Sequence, residues 1–96
     1  MMKESRIMTL HSQGKKGANI SHSKYLSVRQ AIHKVLNPDN ILTHTELLEA
    51  VKAELEGKFE GSIGWYTETV KLDLEARGII CRTDSHPQGY RLVGNS

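Results

Sequence analysis

Residues 70–80 contain the change from a helical pattern to a β-type pattern that decides the fold. Their sequence is Val70-Lys71-Leu72-Asp73-Leu74-Glu75-Ala76-Arg77-Gly78-Ile79-Ile80. The glycine suits the left-handed residue that ends a helix, because a side chain disfavours that conformation. The two isoleucines that follow begin a β-branched run, which is typical of a strand. A helix is therefore expected to end at Gly78, with a strand directly after it.

A first helix is predicted well upstream, from Ser21 or Ser23 to about Leu36, since either serine can cap it. It ends there because the segment 37–40, Asn-Pro-Asp-Asn, breaks a helix. The apolar residues repeat at helical spacing and fall within one arc, namely Tyr25, Val28, Ile32, Val35 and Leu36. This arc is the expected buried face of the first helix.

A second and a third helix follow, each with a residue at its start that can cap it. Thr43 precedes the second helix, and Glu46 stands three residues later, where it completes a capping box. Gly57 suits the end of that helix. Ser62 is the expected cap of the third helix, which is predicted over residues 63–77.

Two β-type runs complete the order of elements. Residues 79–83 and 90–93 are separated by the turn-forming segment 84–89, and residues 41–42 can form a brief extended bridge. The order is then helix, short strand, helix, helix and hairpin. It predicts an α+β fold that is mainly α, a winged helix-turn-helix with three helices and a C-terminal β-hairpin wing. A three-helix bundle with a loose tail is the alternative, and the hairpin argues against it.

The expected domain covers residues 21–96, and residues 1–20 are predicted to form a flexible, basic N-terminal arm. Residues 6–10 have the composition of a possible short strand. Residues 11–20 are treated as mobile, because the segment 14–17, Gly-Lys-Lys-Gly, is turn-like and offers nothing that packs.

The composition is that of one globular domain. The chain has 96 residues, of which 38% are hydrophobic and 25% charged, within the ordinary range. Cys81 is the only cysteine, so no disulfide forms within the chain and a reducing, cytoplasmic location is expected. No apolar run has the length of a secretory leader or a membrane span, and no membrane partner is expected.

The two signs of charge separate along the chain. Residues 1–36 have a net charge of +6, residues 37–78 of −5 and residues 79–96 of +1, although the whole chain carries only +2. The domain is therefore electrically polarised, with its basic part at the N-terminus.

Residues 70–80 resemble the end of the recognition helix and the first wing strand in many bacterial winged-helix regulators. Together with the segment Gly61-Ser62-Ile63-Gly64-Trp65-Tyr66, they also look like a small family of bacterial proteins of unknown function. That second resemblance spans most of the chain from about Ile20. The first resemblance implies a transcription-regulator-like DNA-binding protein. The second supports the fold and implies no activity, since it brings no catalytic or ligand residues, and fold alone does not settle function.

DNA binding is the function expected first, with the third helix in the major groove. The polar face of that helix provides the candidate groove contacts, which are Thr67, Glu68 and Lys71. Candidate phosphate contacts come from the arm, the first helix and the wing, and are Lys15, Lys16, Lys24, Arg29, Arg82, His86 and Arg91. The polar face has a net charge of −1, which is a poor match for phosphate, and the basic groups fit an ordinary solvated surface equally well.

A second apolar stripe on the third helix favours the rival function, a protein-interaction module. It consists of Trp65, Thr69, Leu72 and Ala76, beside a first stripe of Ile63, Tyr66, Val70 and Leu74. A helix with two such stripes has to bury both. Contact with a second copy is the use expected for this stripe, so the chain is predicted to be a homodimer, also if it binds DNA. Alternatively, residues 7–10 or the wing cover the second stripe within the same chain.

Metal, cofactor and enzyme functions have no support in the motifs. His11, His22, His33 and His44 recur every eleven residues, which is not the spacing of metal ligands on one element. The segments 14–17 and 61–64 match neither a phosphate-binding loop nor a nucleophile elbow. We expect no catalytic activity, no metal and no cofactor.

Overall fold

The computed structural model describes residues 5–11, 14, 17–37, 39–84 and 87–93. These residues form three helices and two small antiparallel sheets, so the fold is α+β. The helices are α1 (His22–Val35), α2 (His44–Leu55) and α3 (Ile63–Ala76). The strands are β1 (Arg6–Met8), β2 (Asn19–Ser21), β3 (Leu42–Thr43), β4 (Ile80–Arg82) and β5 (Gly89–Leu92).

The predicted helix caps are confirmed. The Ser21 hydroxyl accepts the Lys24 backbone N–H at the start of α1, and the Ser62 hydroxyl accepts that of Trp65 at the start of α3. Thr43 and Glu46 form the reciprocal capping box of α2. Gly57 and Gly78 follow α2 and α3 in the left-handed region, with φ of +75° and +76°. Local sequence therefore sets where each helix begins and ends.

The C-terminal hairpin is also confirmed, and it pairs with the short strand before α2. The strand order in this sheet is β3-β5-β4, with Leu42 opposite Tyr90 and Cys81 opposite Arg91. Because β3 leads directly into α2, the sheet fixes the start of that helix beside β5. Residues 85–86, at the tip of the hairpin, lie outside the described residues.

The N-terminal segment differs from the mobile arm that the sequence led us to expect. The possible strand is present as β1, and it pairs with β2, which lies within the expected arm, so that Ile7 faces Ile20. The backbone N–H of Thr9 continues the ladder to Ala18. Ile20 is buried in the main core, and this contact holds the hairpin in place. Lys15 and Lys16 of the expected arm lie outside the described residues.

One apolar core joins the three helices and both sheets. Its buried members include Val28 and Ile32 of α1, Leu47 and Val51 of α2, and, from α3 and the sheets, Val70, Leu74, Ile80 and Tyr90. Each aliphatic side chain buried in this way contributes about 1.5–3 kcal/mol relative to exposure. No helix among the described residues combines the length and apolar character needed to span a bilayer.

Candidate interaction surface on the third helix

The outer face of α3 presents the four predicted interface residues in one line. Trp65, Thr69, Leu72 and Ala76 are spaced at four, three and four residues, which places them on the same side of a helix. Trp65 is 49% exposed and Ala76 is exposed, while Thr69 and Leu72 are half-buried. We call these four residues the α3 stripe.

The N-terminal hairpin covers part of the α3 stripe and extends it. Thr69 and Leu72 line a small recess with Thr9 and Leu10, so the chain itself half-covers the middle of the stripe, as the alternative interpretation expected. Ala76 lines a second, mainly apolar recess of about 480 Å³ with Met8, Leu10 and the neighbouring residues His11, Gly14 and Gly17. The side chains of Met8 and Leu10 are themselves about half exposed. We call the stripe together with Met8 and Leu10 the α3–hairpin surface.

An aromatic cluster supports Trp65 from inside. Its ring meets Tyr66 edge to face at 5.0 Å between centroids, and Tyr66 meets Phe59 in the same way at 5.1 Å. The ammonium of Lys24 lies 5.5 Å from the Tyr66 centroid, within range of a cation–π contact. These contacts fix the position of the Trp65 indole while leaving half of its surface open.

Lys71 and Thr67, the predicted groove contacts, do not lie on the outer face, and this part of the sequence prediction is wrong. Both are buried, with exposures of 2% and 1%. They share the inner face with Val70 and Leu74, because positions 67, 70, 71 and 74 have the spacing of one helical face. The prediction failed because it assigned polar residues to the solvent side.

The buried Lys71 is held by partners from three elements. Its ammonium donates to the Tyr90 hydroxyl of β5 (3.2 Å), pairs with the Glu68 carboxylate of α3 (2.8 Å) and lies 3.0 Å from Nδ1 of His44 in α2. Since an ammonium has only donors, that imidazole nitrogen has to be the acceptor. Lys71 is thus used inside the protein and is not available to an external phosphate.

Asp73, for which the sequence pattern predicts no role, is fully buried at the other edge of this inner face. Its carboxylate accepts hydrogen bonds from the Tyr25 hydroxyl of α1, from the backbone N–H of Leu10 and from Nε of Arg77. Burial and this carboxylate raise the pKa of Tyr25 above its ordinary value. An acid between two leucines, in the run Leu72-Asp73-Leu74, was the one available signal.

The acids of α3 are all matched by cations of the same chain. Glu68 pairs with Lys71, Asp73 with Arg77 and Glu75 with Arg82, each at 2.8–2.9 Å. The hydrogen bond to Glu75 raises the pKa of Arg82 above its ordinary value. The surface beside the α3 stripe is therefore close to neutral, and Arg82 is already paired with Glu75.

The remaining predicted DNA contacts are not gathered on α3. Lys24 lies on the aromatic cluster, Arg29 is half-buried on α1 and Arg91 is half-buried on β5. His86, like Lys15 and Lys16, falls outside the described residues. Across the described ranges, no group of three or more His, Cys, Asp or Glu side chains is placed to hold a metal ion.

Comparison with curated proteins and with solved structures found no match to this chain. A family model, described as a family of unknown function (DUF6958), matches residues 6–90. That range includes both sheets and all three helices described above, apart from the last residues of β5. The chain belongs to this family of unknown function.

Proposed function

We propose that this chain is a protein-binding domain that uses the α3–hairpin surface on a winged-helix scaffold. One observation carries the proposal: the outer face of α3 presents a half-exposed tryptophan, while the only lysine of that helix is buried. Tryptophan is enriched at the centres of protein interfaces, and lysine is depleted there. An apolar, nearly neutral helix face fits a protein partner better than a polyanion.

Two features support the winged-helix scaffold. The elements follow the order helix, strand, helix, helix and hairpin, and the strand before α2 pairs with the second strand of the hairpin in the order β3-β5-β4. A helix-turn-helix with an attached β-hairpin combines these parts. In such a fold α3 occupies the recognition-helix position, so the apolar stripe lies where a DNA-reading face is expected.

DNA binding remains the second candidate, because residues 1–36 carry a net charge of +6. In this alternative Lys24, Arg29, Arg91 and the residues outside the described ranges hold phosphates, and α3 makes few base contacts. About five phosphate contacts would give a log–log salt slope near −4 to −5.

Site-specific photo-crosslinking separates the two candidates. Trp65 is replaced by a photoreactive phenylalanine derivative in the full chain expressed in its native host, and the exposed Gln30 of α1 serves as the matched control position. Protein binding predicts polypeptide adducts from position 65 and few from position 30. Nucleic-acid adducts alone, or equal adducts from both positions, would overturn it.

A gel-shift series with mixed duplex DNA tests the second candidate directly. DNA binding predicts retardation at low salt that weakens steeply with salt and is reduced in the variant Lys24→Gln/Arg29→Gln. The protein-binding proposal predicts little retardation and no difference between this variant and the parent chain.

A further inference from the structure

The α3 stripe has a two-fold symmetric spacing. Trp65 and Ala76 are equally far from the point between Val70 and Lys71, and so are Thr69 and Leu72. The helix rises 1.5 Å per residue, so the two ends of the stripe lie about 16 Å apart. If a second α3 lies antiparallel across this midpoint, each Trp65 faces the other copy's Ala76, and each Thr69 faces the other copy's Leu72.

The paired ends complement each other in size. The largest side chain of the stripe stands at its N-terminal end, and the smallest stands at its C-terminal end. Ala76 lines the mainly apolar recess of about 480 Å³ together with Met8 and Leu10. An indole that enters this recess covers the half-exposed side chains of both hairpin residues, while its own open half is removed from water.

The spacing of four, three and four residues is also that of the contact positions along an antiparallel helix pair. In this register Glu68 of one copy lies nearest Glu75 of the other, and the pair would be opposed if these carboxylates were free anions. Both are instead ion-paired within their own chain, Glu68 with Lys71 and Glu75 with Arg82. Like-charge repulsion between two copies is therefore small.

We propose that the partner of the α3–hairpin surface is a second copy of this chain, with Trp65 of each copy seated in the recess of the other. The inference rests on the proposed protein-binding function and names its partner. A single helix face and one hairpin bury less than a standard interface, so we expect a dissociation constant on the order of 10 µM.

The single tryptophan of the chain reports directly on the contact. Analytical ultracentrifugation and intrinsic fluorescence are followed from about 1 µM to about 500 µM protein, a range that brackets this constant. A dimer of the proposed kind gives a blue shift of the Trp65 emission over the same range in which the mass doubles. The variant Ala76→Glu, which places a carboxylate in the recess, stays monomeric with red-shifted emission. The control Ala53→Glu, on the exposed side of α2, dimerises like the parent chain.

Disulfide trapping tests the antiparallel register. In a Cys81→Ser background, the variants Trp65→Cys and Ala76→Cys are oxidised separately and as a mixture. In the antiparallel pair, position 65 of one copy faces position 76 of the other, so two identical positions are offset by about 16 Å along the helices. This offset exceeds the roughly 7 Å that a disulfide spans. The proposed register predicts covalent dimers in the mixture and few from either variant alone.

The outcomes separate this inference from the proposed function. A chain that stays monomeric at the highest concentration, or a dimer that Ala76→Glu leaves intact, overturns the second-copy interface. If position 65 still crosslinks to a different polypeptide in that case, the protein-binding function survives without it. If position 65 crosslinks to no polypeptide, both proposals fail.

Discussion

The two faces of α3 show the reverse of the usual polarity, with charged side chains on the buried inner face and apolar side chains on the open outer face. The inner face buries Thr67, Lys71 and Asp73, whereas the outer face exposes half of Trp65 and leaves Leu72 half-covered. Buried charges are tolerated where each finds partners, and Lys71 and Asp73 have three each. Among the described residues, the buried Thr67 hydroxyl has no hydrogen-bond partner. The side of the helix on which Lys71 and Asp73 lie is therefore decided by their available partners as much as by their hydropathy.

The inner charges also connect different parts of the molecule. Asp73 joins α3 to α1 and to Leu10, two residues after β1, whereas Lys71 joins α3 to the start of α2 and to β5. The Tyr25 hydroxyl that donates to Asp73 is buried, whereas Glu68 and His44 beside Lys71 reach solvent. Removing Asp73 should therefore cost more, because the buried Tyr25 hydroxyl has no water to turn to.

The largest loss in the free energy of unfolding is expected for Asp73→Ala, which removes the buried carboxylate of the inner face. It leaves the Tyr25 hydroxyl and the Leu10 backbone N–H without their acceptor, and we expect a loss of about 3–5 kcal/mol in the free energy of unfolding. Urea denaturation followed by circular dichroism measures it. The exposed Asp39→Ala serves as the control, with an expected change within about 0.5 kcal/mol. Equal losses in the two variants would contradict the role given to Asp73.

Much of the fold follows from the sequence because its signals are local. Ser21, Thr43 and Ser62 cap helices through bonds to residues three positions away, and Gly78 ends α3 through its own backbone. The hairpin of β4 and β5 was likewise predicted from neighbouring residues. Such features depend on only a few consecutive positions.

The inner face of α3 was not predictable in the same way. The partners of Lys71 lie 27 and 19 residues away at His44 and Tyr90, and Tyr25 lies 48 residues from Asp73. No sequence periodicity predicts such long-range pairs. Hydropathy therefore assigned Lys71 and Thr67 to the solvent face of α3, although both are buried. The α3 stripe was found because it is a helical pattern, although its cover by the N-terminal hairpin depended on the pairing of β1 with β2.

A smaller loss in the free energy of unfolding, which depends on pH, is expected for Tyr25→Phe. The buried carboxylate loses one donor, which costs about 1.5–3 kcal/mol near neutral pH. The folded-state pKa of Tyr25 is raised, so its contribution is fully present below the unfolded value of about 10 and is lost as the pH rises above it. The difference in unfolding free energy between parent and variant should therefore shrink above about pH 10. Tyr66→Phe, at a half-buried tyrosine outside this network, is the matched control, and a pH-independent difference for Tyr25→Phe would refute the assignment.

A still smaller loss in the free energy of unfolding is expected for Lys71→Met, which keeps a buried aliphatic chain and removes the charge. The Tyr90 hydroxyl loses its donor, but Glu68 and His44 turn to water, so the loss should be about 1 kcal/mol. Lys52→Met on exposed α2 controls for the general effect of exchanging lysine for methionine. DNA retardation by the Lys71→Met protein should equal that of the parent chain. A selective loss of retardation would show that the ammonium leaves the core to reach phosphate.

The smallest effect on folding is expected for Trp65→Ala, which sharpens the contrast between the two faces. Half of the indole already faces solvent, so truncation removes only its buried half and its edge contact with Tyr66, and the loss in unfolding free energy should stay within about 1 kcal/mol. The measurement is made by circular dichroism at about 1 µM protein, below the expected dissociation constant, because association would otherwise add to the stability of the parent. At higher concentration the same variant should lose self-association altogether. Lys71→Met should thus change folding and leave self-association alone, and Trp65→Ala should do the reverse. If Trp65→Ala destabilised the monomer as much as Asp73→Ala, the α3 stripe would be part of the core and could not serve as a binding surface.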